Sequence, residues 1–281
     1  MNAKEWHDLG FAQNRRAHDL IADKYDLKHT EIYNSLEQRR LAEVLGQLVA
    51  TTGAPAPTVL DVGAGTGNLS LKFAGHGCRV TALDVSDRSL AVLRSKAPSN
   101  VQLETVRLGG PRFPLPNRAF DIVATYSVLH HVPDYLGTVR EMIRVLKRGG
   151  LIYIDHEANP AAWQPDTNPY LAAYRTHCRL GLAEHLSLLI RTGELFTSDF
   201  WKCACIRLFF NPRFQREGDI HVWPDDHIEW PKIYDIFLEG GVSVETEADY
   251  LSYQPRGGRE TYDRYRHVCS DMRMVIGRKR A

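Results

Sequence analysis

The sequence lacks long apolar runs and an excess of charge of either sign. None of its apolar stretches approaches the ~20 residues that a membrane-spanning helix needs, so we expect no insertion into a membrane. The 35 basic and 34 acidic residues leave a net charge of +1, whereas a nucleic-acid-binding protein usually carries a basic surplus on its contact face. We therefore expect no nucleic-acid partner.

Cysteine is scarce, and its spacing suits neither a disulfide framework nor a zinc site. The five cysteines include no Cys-x-x-Cys pair, and Cys203 and Cys205 are expected to be plain thiols. Residues 1–8 contain no apolar core of the kind that a secretory signal needs. We therefore expect a cytoplasmic location.

Short apolar runs alternate with helical stretches from Thr58 onward. The first five expected strands are Val59–Val62, Arg79–Asp84, Val101–Leu108, Phe120–Ser127 and Leu151–Asp155. Strands that alternate with helices form a parallel sheet covered on both faces. Two later segments, Val242–Tyr250 and Arg273–Lys279, are expected to add an antiparallel pair. The sequence thus predicts an α/β fold with a doubly wound, seven-stranded, mostly parallel sheet.

Breaks in this pattern divide the chain into four parts. They are an N-terminal helical cover (1–57), an α/β core (58–158), a helical insertion or lid after the fifth strand (159–218) and the C-terminal part of the core (219–281). The insertion is rich in aromatic residues, which favours either a large acceptor pocket or a surface that packs on itself or on a second subunit. The sequence leaves open whether the protein forms a homodimer.

Some helix ends can also be predicted. A helix is expected from Asp134 to Leu146, stopped by Gly149-Gly150. Another is expected from Asp226 to Glu239, where Asp226 and Glu229 have the spacing of a capping box. A metal site in this acidic stretch is the less favoured alternative, and we predict no metal.

A glycine-rich turn after the first strand is the strongest functional signal. The stretch from Asp61 through Gly63, Ala64 and Gly65 to Gly67 leads a buried strand into a helix, where glycines let the backbone approach a ligand. The spacing is G-x-G-x-G rather than G-x-G-x-x-G, and the carboxylate of Asp61 suits a cationic ligand better than a pyrophosphate.

The second strand ends in an acidic residue, Asp84, which Val85 follows. A carboxylate at this position can accept hydrogen bonds from both hydroxyls of a ribose. Its alternative role, as a helix cap, is already served by Ser86 or Asp87.

Together these motifs resemble the class I S-adenosylmethionine (SAM)-dependent methyltransferases, in the branch that acts largely on small molecules. The resemblance covers roughly residues 25–157. It rests on Asp61-x-Gly63-x-Gly65-x-Gly67, on Asp84, on Phe113-Pro114-Leu115-Pro116 with Phe120-Asp121, on Ser127-Val128-Leu129-His130-His131-Val132 and on Leu146-Lys147-Arg148-Gly149-Gly150. It implies SAM as the cofactor. Asp61 and the glycine turn would hold its methionyl end, Asp84 its ribose, and Ser127 would line the wall near the sulfonium.

One position departs from the family pattern. Gly109 stands where these proteins usually carry an acidic residue that accepts the adenine amino group, so only backbone groups remain there to contact the adenine. In the expected cover, Tyr25 and Tyr33 would contact cofactor or substrate, or else pack the cover on the core.

Four residues at strand ends are candidates for acceptor chemistry. His130 and His131 follow the fourth strand and could remove a proton from the acceptor, with a slight preference for His131. His156 and Glu157 end the fifth strand and could bind substrate. For each, packing or capping is the alternative role.

The function predicted is methyl transfer from SAM to an O or N atom of a small-molecule acceptor: a natural product, a sugar or a lipid-linked compound. A carbon acceptor and a non-catalytic, SAM-binding scaffold are the alternatives. A nicotinamide-dependent oxidoreductase is disfavoured by Asp61 and the glycine spacing.

Overall fold

One seven-stranded sheet organises the molecule. The computed structural model describes residues 3–164, 168–170, 173, 190, 196–213 and 218–281. The strands of the large sheet are β1 (Thr58–Val62), β2 (Arg79–Asp84), β3 (Leu103–Arg107), β4 (Phe120–Tyr126), β5 (Leu146–Ala158), β8 (Val242–Tyr250) and β9 (Met272–Lys279). β6 (Val222–Trp223) and β7 (Asp226–His227) form a small separate hairpin.

The strand order is β3-β2-β1-β4-β5-β9-β8. The first five strands run parallel, and β9 pairs antiparallel with both β5 and β8. The chain reverses its direction across the sheet between β1 and β4, so their carboxyl ends flank the crevice where ligands bind in such folds. The predicted fold class, with its seven strands and mostly parallel sheet, is confirmed.

Helices cover both faces of the sheet. They are α1 (Ala3–Ile21), α2 (Tyr25–Lys28), α3 (Ser35–Thr51), α4 (Asn68–Gly75), α5 (Asp87–Lys96), α6 (Tyr135–Val145), α7 (Ser198–Cys205), α8 (Trp230–Glu239) and α9 (Arg259–Tyr265). Alternate residues of one strand enter opposite cores, as with Val59 and Leu60 of β1. Val59 packs with α3 and α4, and Leu60 with α6 and α8.

Two predicted helix ends are wrong. α6 ends at Val145, because Leu146 turns to extended backbone and starts β5. Gly149 and Gly150 lie inside that strand segment rather than stopping the helix. Likewise, Asp226 does not cap a helix, since its carboxylate lies 2.5 Å from the His221 ring in the small hairpin. α8 begins at Trp230, with a proline in its first turn.

Part of the predicted insertion lies outside the described residues, including Tyr174, Cys178, Leu182 and Leu186. Of the part that the structure describes, Tyr170 is buried, whereas the aromatic side chains of Phe196, Trp201 and Phe209 are exposed. None of the helices among the described residues has the length and apolar character that a bilayer-spanning segment needs.

Candidate active site

The carboxyl ends of β1, β2 and β4 open into one cavity, whose empty space is about 940 Å³ with its open mouth included. Its wall includes the turn after β1, the end of β2 and the residue after β4. The predicted cofactor residues found in the lining are Gly63, Ala64, Gly65, Asp84, Val85, Ser127 and Tyr25. Residues as far apart in sequence as Tyr25 and Ser127 therefore meet at one ligand-sized space.

The glycine turn is held tightly against its neighbours. Gly63, Gly65 and Gly67 all have positive φ, at 71°, 51° and 100°. A β-carbon at Gly63 would lie 2.5 Å from Val128, and one at Gly67 would lie 2.2 Å from Leu93. Both positions thus require glycine for conformation and for space.

Asp61 lies beneath the turn and is 2% exposed. Its carboxylate accepts a 2.5 Å hydrogen bond from the hydroxyl of Ser70, on α4. Burial raises the pKa of Asp61 to about 7, because the charged form loses hydration. A cationic group bound nearby would favour the carboxylate form.

Asp84 faces the cavity with both oxygens anchored. One accepts the Gly65 amide and the other the Ser86 amide, each at 2.8 Å. Burial raises the pKa of this carboxyl group. Each carboxylate oxygen can accept a further hydrogen bond, so two positions remain for neighbouring hydroxyls. Ser86 caps α5 through Ser89, so Asp84 is not the cap.

Gly109 lies at the edge of this region rather than in the main cavity lining. It borders a side pocket together with Phe11, Arg15 and Arg107. A β-carbon at Gly109 would meet nothing within 4 Å, which leaves open space where family members carry an acidic side chain.

A second, polar chamber adjoins the cavity, and its empty space is about 840 Å³ with its open mouth included. Tyr25, Ser127 and His131 line both spaces. The remaining residues of the chamber wall are Lys28, His29, Thr30, Glu31, His130, Asp219, Gln254 and Arg256. We call this space the acceptor chamber, because it meets the cofactor cavity at the residue that follows β4.

Glu157 fixes the orientation of His130. This fully buried carboxylate accepts the amides of Val128 and Leu129 at 2.8 and 2.7 Å, and its other oxygen lies 2.9 Å from Nδ1 of His130. Nδ1 therefore carries the proton that faces Glu157. Nε2 is left on the chamber side, 4.0 Å from the carboxylate of Asp219.

The two histidines differ in their electrostatics. Burial opposes the protonation of His130, yet the charge of Glu157 raises the pKa of this ring above its ordinary value. Burial and the neighbouring His130 lower the pKa of His131. Nδ1 of His131 lies 3.0 Å from Asp219, although the approach lacks the angles of a hydrogen bond. His130 is thus the better oriented of the pair.

Comparisons with known proteins identify the fold and the chemistry. A model described as a methyltransferase domain matches residues 60–154. The chain is a SAM-dependent methyltransferase, and its fold is that of the class I enzymes. Among its relatives, the demethylmenaquinone methyltransferase of Tropheryma whipplei is 29% identical over 193 residues, covering 69% of this chain and 74% of that protein. The enzyme of the same name from Listeria monocytogenes is 34% identical over 160 residues, covering 54% and 66%.

Solved structures of methyltransferases share the fold. A putative methyltransferase from Haloferax volcanii, in complex with a methyltransferase activator, has a TM-score of 0.57 at 16% identity, with 94% of this chain and 98% of that chain covered. A magnesium protoporphyrin IX methyltransferase from Synechocystis, with SAM bound, has a TM-score of 0.55 at 14% identity, with 95% and 97% covered. At such identities the likeness concerns the fold alone.

The cofactor of this methyltransferase is SAM, and groups in and directly beneath the cavity wall match it. The buried carboxylate of Asp61 suits an ammonium group, and the outward positions on Asp84 suit a ribose diol. When bound, SAM supplies a methyl group on a sulfonium, which is already a strong donor. The protein has to orient the acceptor and exclude water.

The predicted cover is joined to the glycine turn of the methyltransferase. The hydroxyl of Thr66 donates to Asp26 at 2.6 Å and lies 3.1 Å from the hydroxyl of Tyr33. Lys96 forms an ion pair with Asp26. Tyr33, for which the sequence left cofactor or substrate contact open, lines the cofactor cavity rather than the acceptor chamber.

Helix α1 contributes residues that the sequence reasoning missed. Phe11, Asn14 and His18 line the cofactor cavity. The amide of Asn14 donates to the backbone oxygen of His131 at 2.9 Å, and the ring of His18 packs edge-on against that of His131. Positions 11, 14, 18 and Ile21 have the spacing of one helical face, so a periodicity search could have found them.

His156 lies away from both cavities. It is buried, with φ at +60°, and its Nδ1 is 3.2 Å from the hydroxyl of Tyr126 and 3.1 Å from that of Tyr250. Glu37 and Arg40 of α3 complete this buried network. The two residues predicted at the end of β5 therefore lie in different surroundings. Glu157 contacts His130, whereas His156 belongs to the buried network beneath the cover.

Proposed function

We propose that this methyltransferase transfers the methyl group of SAM to an O or N atom of a small polar acceptor, with His130 as the base. The single observation that carries this proposal is the Glu157–His130 pair at the wall of the acceptor chamber. A carboxylate that holds one ring nitrogen leaves the other free to accept a proton. An O–H or N–H acceptor gains most from such a base.

The surroundings support a polar acceptor. The acceptor chamber is lined by charged and hydrogen-bonding side chains, and no aliphatic side chain is among its lining residues in the described part of the chain. Ser127, whose φ of 58° is unusual for serine, stands at the junction of the two spaces. An acceptor in the chamber would then meet the methyl group near Ser127, with His130 at hand for its proton.

A carbon acceptor is the second candidate, because the relatives carry the name demethylmenaquinone methyltransferase. The absence of aliphatic side chains from the described wall of the acceptor chamber disfavours an apolar quinone there. A third candidate, the SAM-binding scaffold, would bind the cofactor without consuming it.

The test is an acceptor screen that follows S-adenosylhomocysteine (SAH) release, with product analysis of the methylated atom. We expect turnover on phenols, alcohols or amines, reduced about 100-fold in His130→Gln because the base is lost. His76→Gln, which changes a histidine outside both cavities, is the control and should retain full activity. Turnover on carbon acceptors alone, or His130→Gln at full rate, would contradict the proposal.

A further inference from the structure

Two cationic side chains line the acceptor chamber and have no ion-pair partner among the described residues. Lys28 ends α2 and Arg256 lies in the short 3-10 helix Pro255–Gly257, so they approach the chamber from separate elements. Both are exposed, and neither lies within 4 Å of a carboxylate in the described part of the chain. Their charge is therefore available to a ligand.

The carboxylates of the same chamber are already engaged. Glu31 lies 2.8 Å from Nδ1 of His29, and Asp219 lies 3.0 Å from Nδ1 of His131. Although burial opposes ionisation of Asp219, the adjacent histidines hold its pKa at about 2. The carboxylates of Glu31 and Asp219 thus each face a histidine. Neither carboxylate neutralises Lys28 or Arg256.

We propose that Lys28 and Arg256 form an anion-binding subsite, so that the acceptor carries a carboxylate or phosphate group in addition to its methyl-accepting atom. This inference rests on the proposed function, since it places the acceptor in the same chamber. The guanidinium of Arg256 matches the paired oxygens of either group, and Lys28 adds a point charge. Gln254 and Thr30 add hydrogen-bonding groups to the same wall.

The subsite also gives the acceptor a direction. Its anionic group would be held by Lys28 and Arg256, and its nucleophile would be directed to His130 and Ser127 at the cofactor side. Holding a substrate by a remote group is one way to orient the reacting atom.

The experiment titrates SAH-saturated protein with inorganic phosphate and, separately, with acetate, at ionic strength held constant with sodium chloride. Backbone amide signals of residues 28 and 256 are followed by NMR, so that no turnover is needed. We expect saturable shifts at both positions. Lys28→Gln and Arg256→Gln should each weaken binding about 3- to 10-fold, the loss of one charge-assisted contact. Tighter binding of phosphate or of acetate identifies the group.

Lys24→Gln and Arg140→Gln are the matched controls, because both change exposed cations outside the chamber. They should bind the anions like the unaltered protein. Shifts that do not saturate, or saturable binding that survives in the Lys28→Gln/Arg256→Gln double variant, would overturn the subsite. Because the titration is independent of catalysis, anion binding in a protein that transfers no methyl group would retain the subsite and reject the proposed function.

Discussion

At the scale of single residues, burial shifts the pKa of two carboxyl groups in the same direction: Asp84 at the wall of the cofactor cavity and Asp61 beneath the glycine turn. Asp61 and Asp84 are both almost inaccessible to solvent, and burial raises the pKa of each. A carboxyl group that ionises fully only when a partner arrives couples ligand binding to proton release. The pH dependence of cofactor affinity therefore reports on these residues.

For Asp61 we predict that affinity for SAH falls as the pH drops through about 7, because protonation removes the partner of the ligand's ammonium group. Asp61→Asn should weaken binding roughly 10- to 100-fold and reduce the pH slope by one proton. Calorimetry between pH 5.5 and 8.5 measures both effects. Asp235→Asn, an exposed change on α8, is the control. An unaltered slope in Asp61→Asn would rule out this role.

Glu157 provides a second residue-scale prediction. The base form of His130 appears as pH rises through its raised pKa, so kcat/KM should rise with pH and reach half its plateau above the ordinary histidine value of about 6.5. Glu157→Gln removes the charge that raises this pKa, so the midpoint should move to lower pH.

The same substitution should also lower the plateau about 100-fold, because glutamine can donate to Nδ1 and shift the proton to Nε2. A pH–rate profile on the acceptor found in the screen provides the test. Glu239→Gln, an exposed change on α8, should alter neither the midpoint nor the plateau of the profile. A midpoint that stays in place in Glu157→Gln would show that another group titrates.

At the scale of elements, a buried polar network joins the cover to the sheet. Arg40 of α3 contacts Glu37 on the same helix, Asp155 of β5 and Tyr250 of β8, at 2.5, 2.7 and 3.0 Å. Its guanidinium also lies 4.0 Å above the Tyr250 ring. Because Asp155 is fully buried, this carboxylate depends on Arg40 for charge compensation.

We predict that Arg40→Met destabilises the protein by about 3–5 kcal/mol, since it leaves buried carboxylates without a cation. Urea unfolding measures the change in free energy. Arg39→Met removes an exposed arginine from the neighbouring position and should cost at most about 0.5 kcal/mol. Equal losses of unfolding free energy in Arg40→Met and Arg39→Met would mean that the buried network contributes no more to stability than an exposed arginine does.

At the scale of the whole molecule, cofactor binding and folding should be linked. The cavity is assembled from α1, the cover and the ends of three strands, so the unfolded chain has no equivalent site. We expect SAH at 100 times its Kd to add about 2.7 kcal/mol to the free energy of unfolding. This corresponds to a rise in Tm of about 5 °C.

Calorimetric or fluorescence melting curves with and without SAH measure this shift. Asp84→Ala should melt without a comparable rise at the same SAH concentration, because the ribose contact is lost. A full shift in Asp84→Ala would show that the ligand binds elsewhere or without that contact.

Local patterns in the sequence determined the architecture of the core. Strand–helix alternation identified the parallel strands, and the glycine turn with Asp61 and Asp84 identified the cofactor region, because backbone conformation and burial leave local signals. The end of α6 and the start of α8 were missed. Both depend on strand pairing: Leu146 pairs with Phe120 across the large sheet, and Asp226 pairs with Trp223 in the small hairpin.

Only the tertiary structure decided which side chains share a space. His130 meets Glu157 across 27 positions, His131 approaches Asp219 across 88, and Asn14 reaches the backbone of His131 across 117. Periodicity can show which face of an element is buried, as in α1, but it does not show which distant residue that face meets, because the two partners lie on different elements. The sequence by itself therefore determined that a SAM-type pocket follows β1. Only the packing of β5 against the residues that follow β4 decided that Glu157 orients His130 at the wall of a polar chamber.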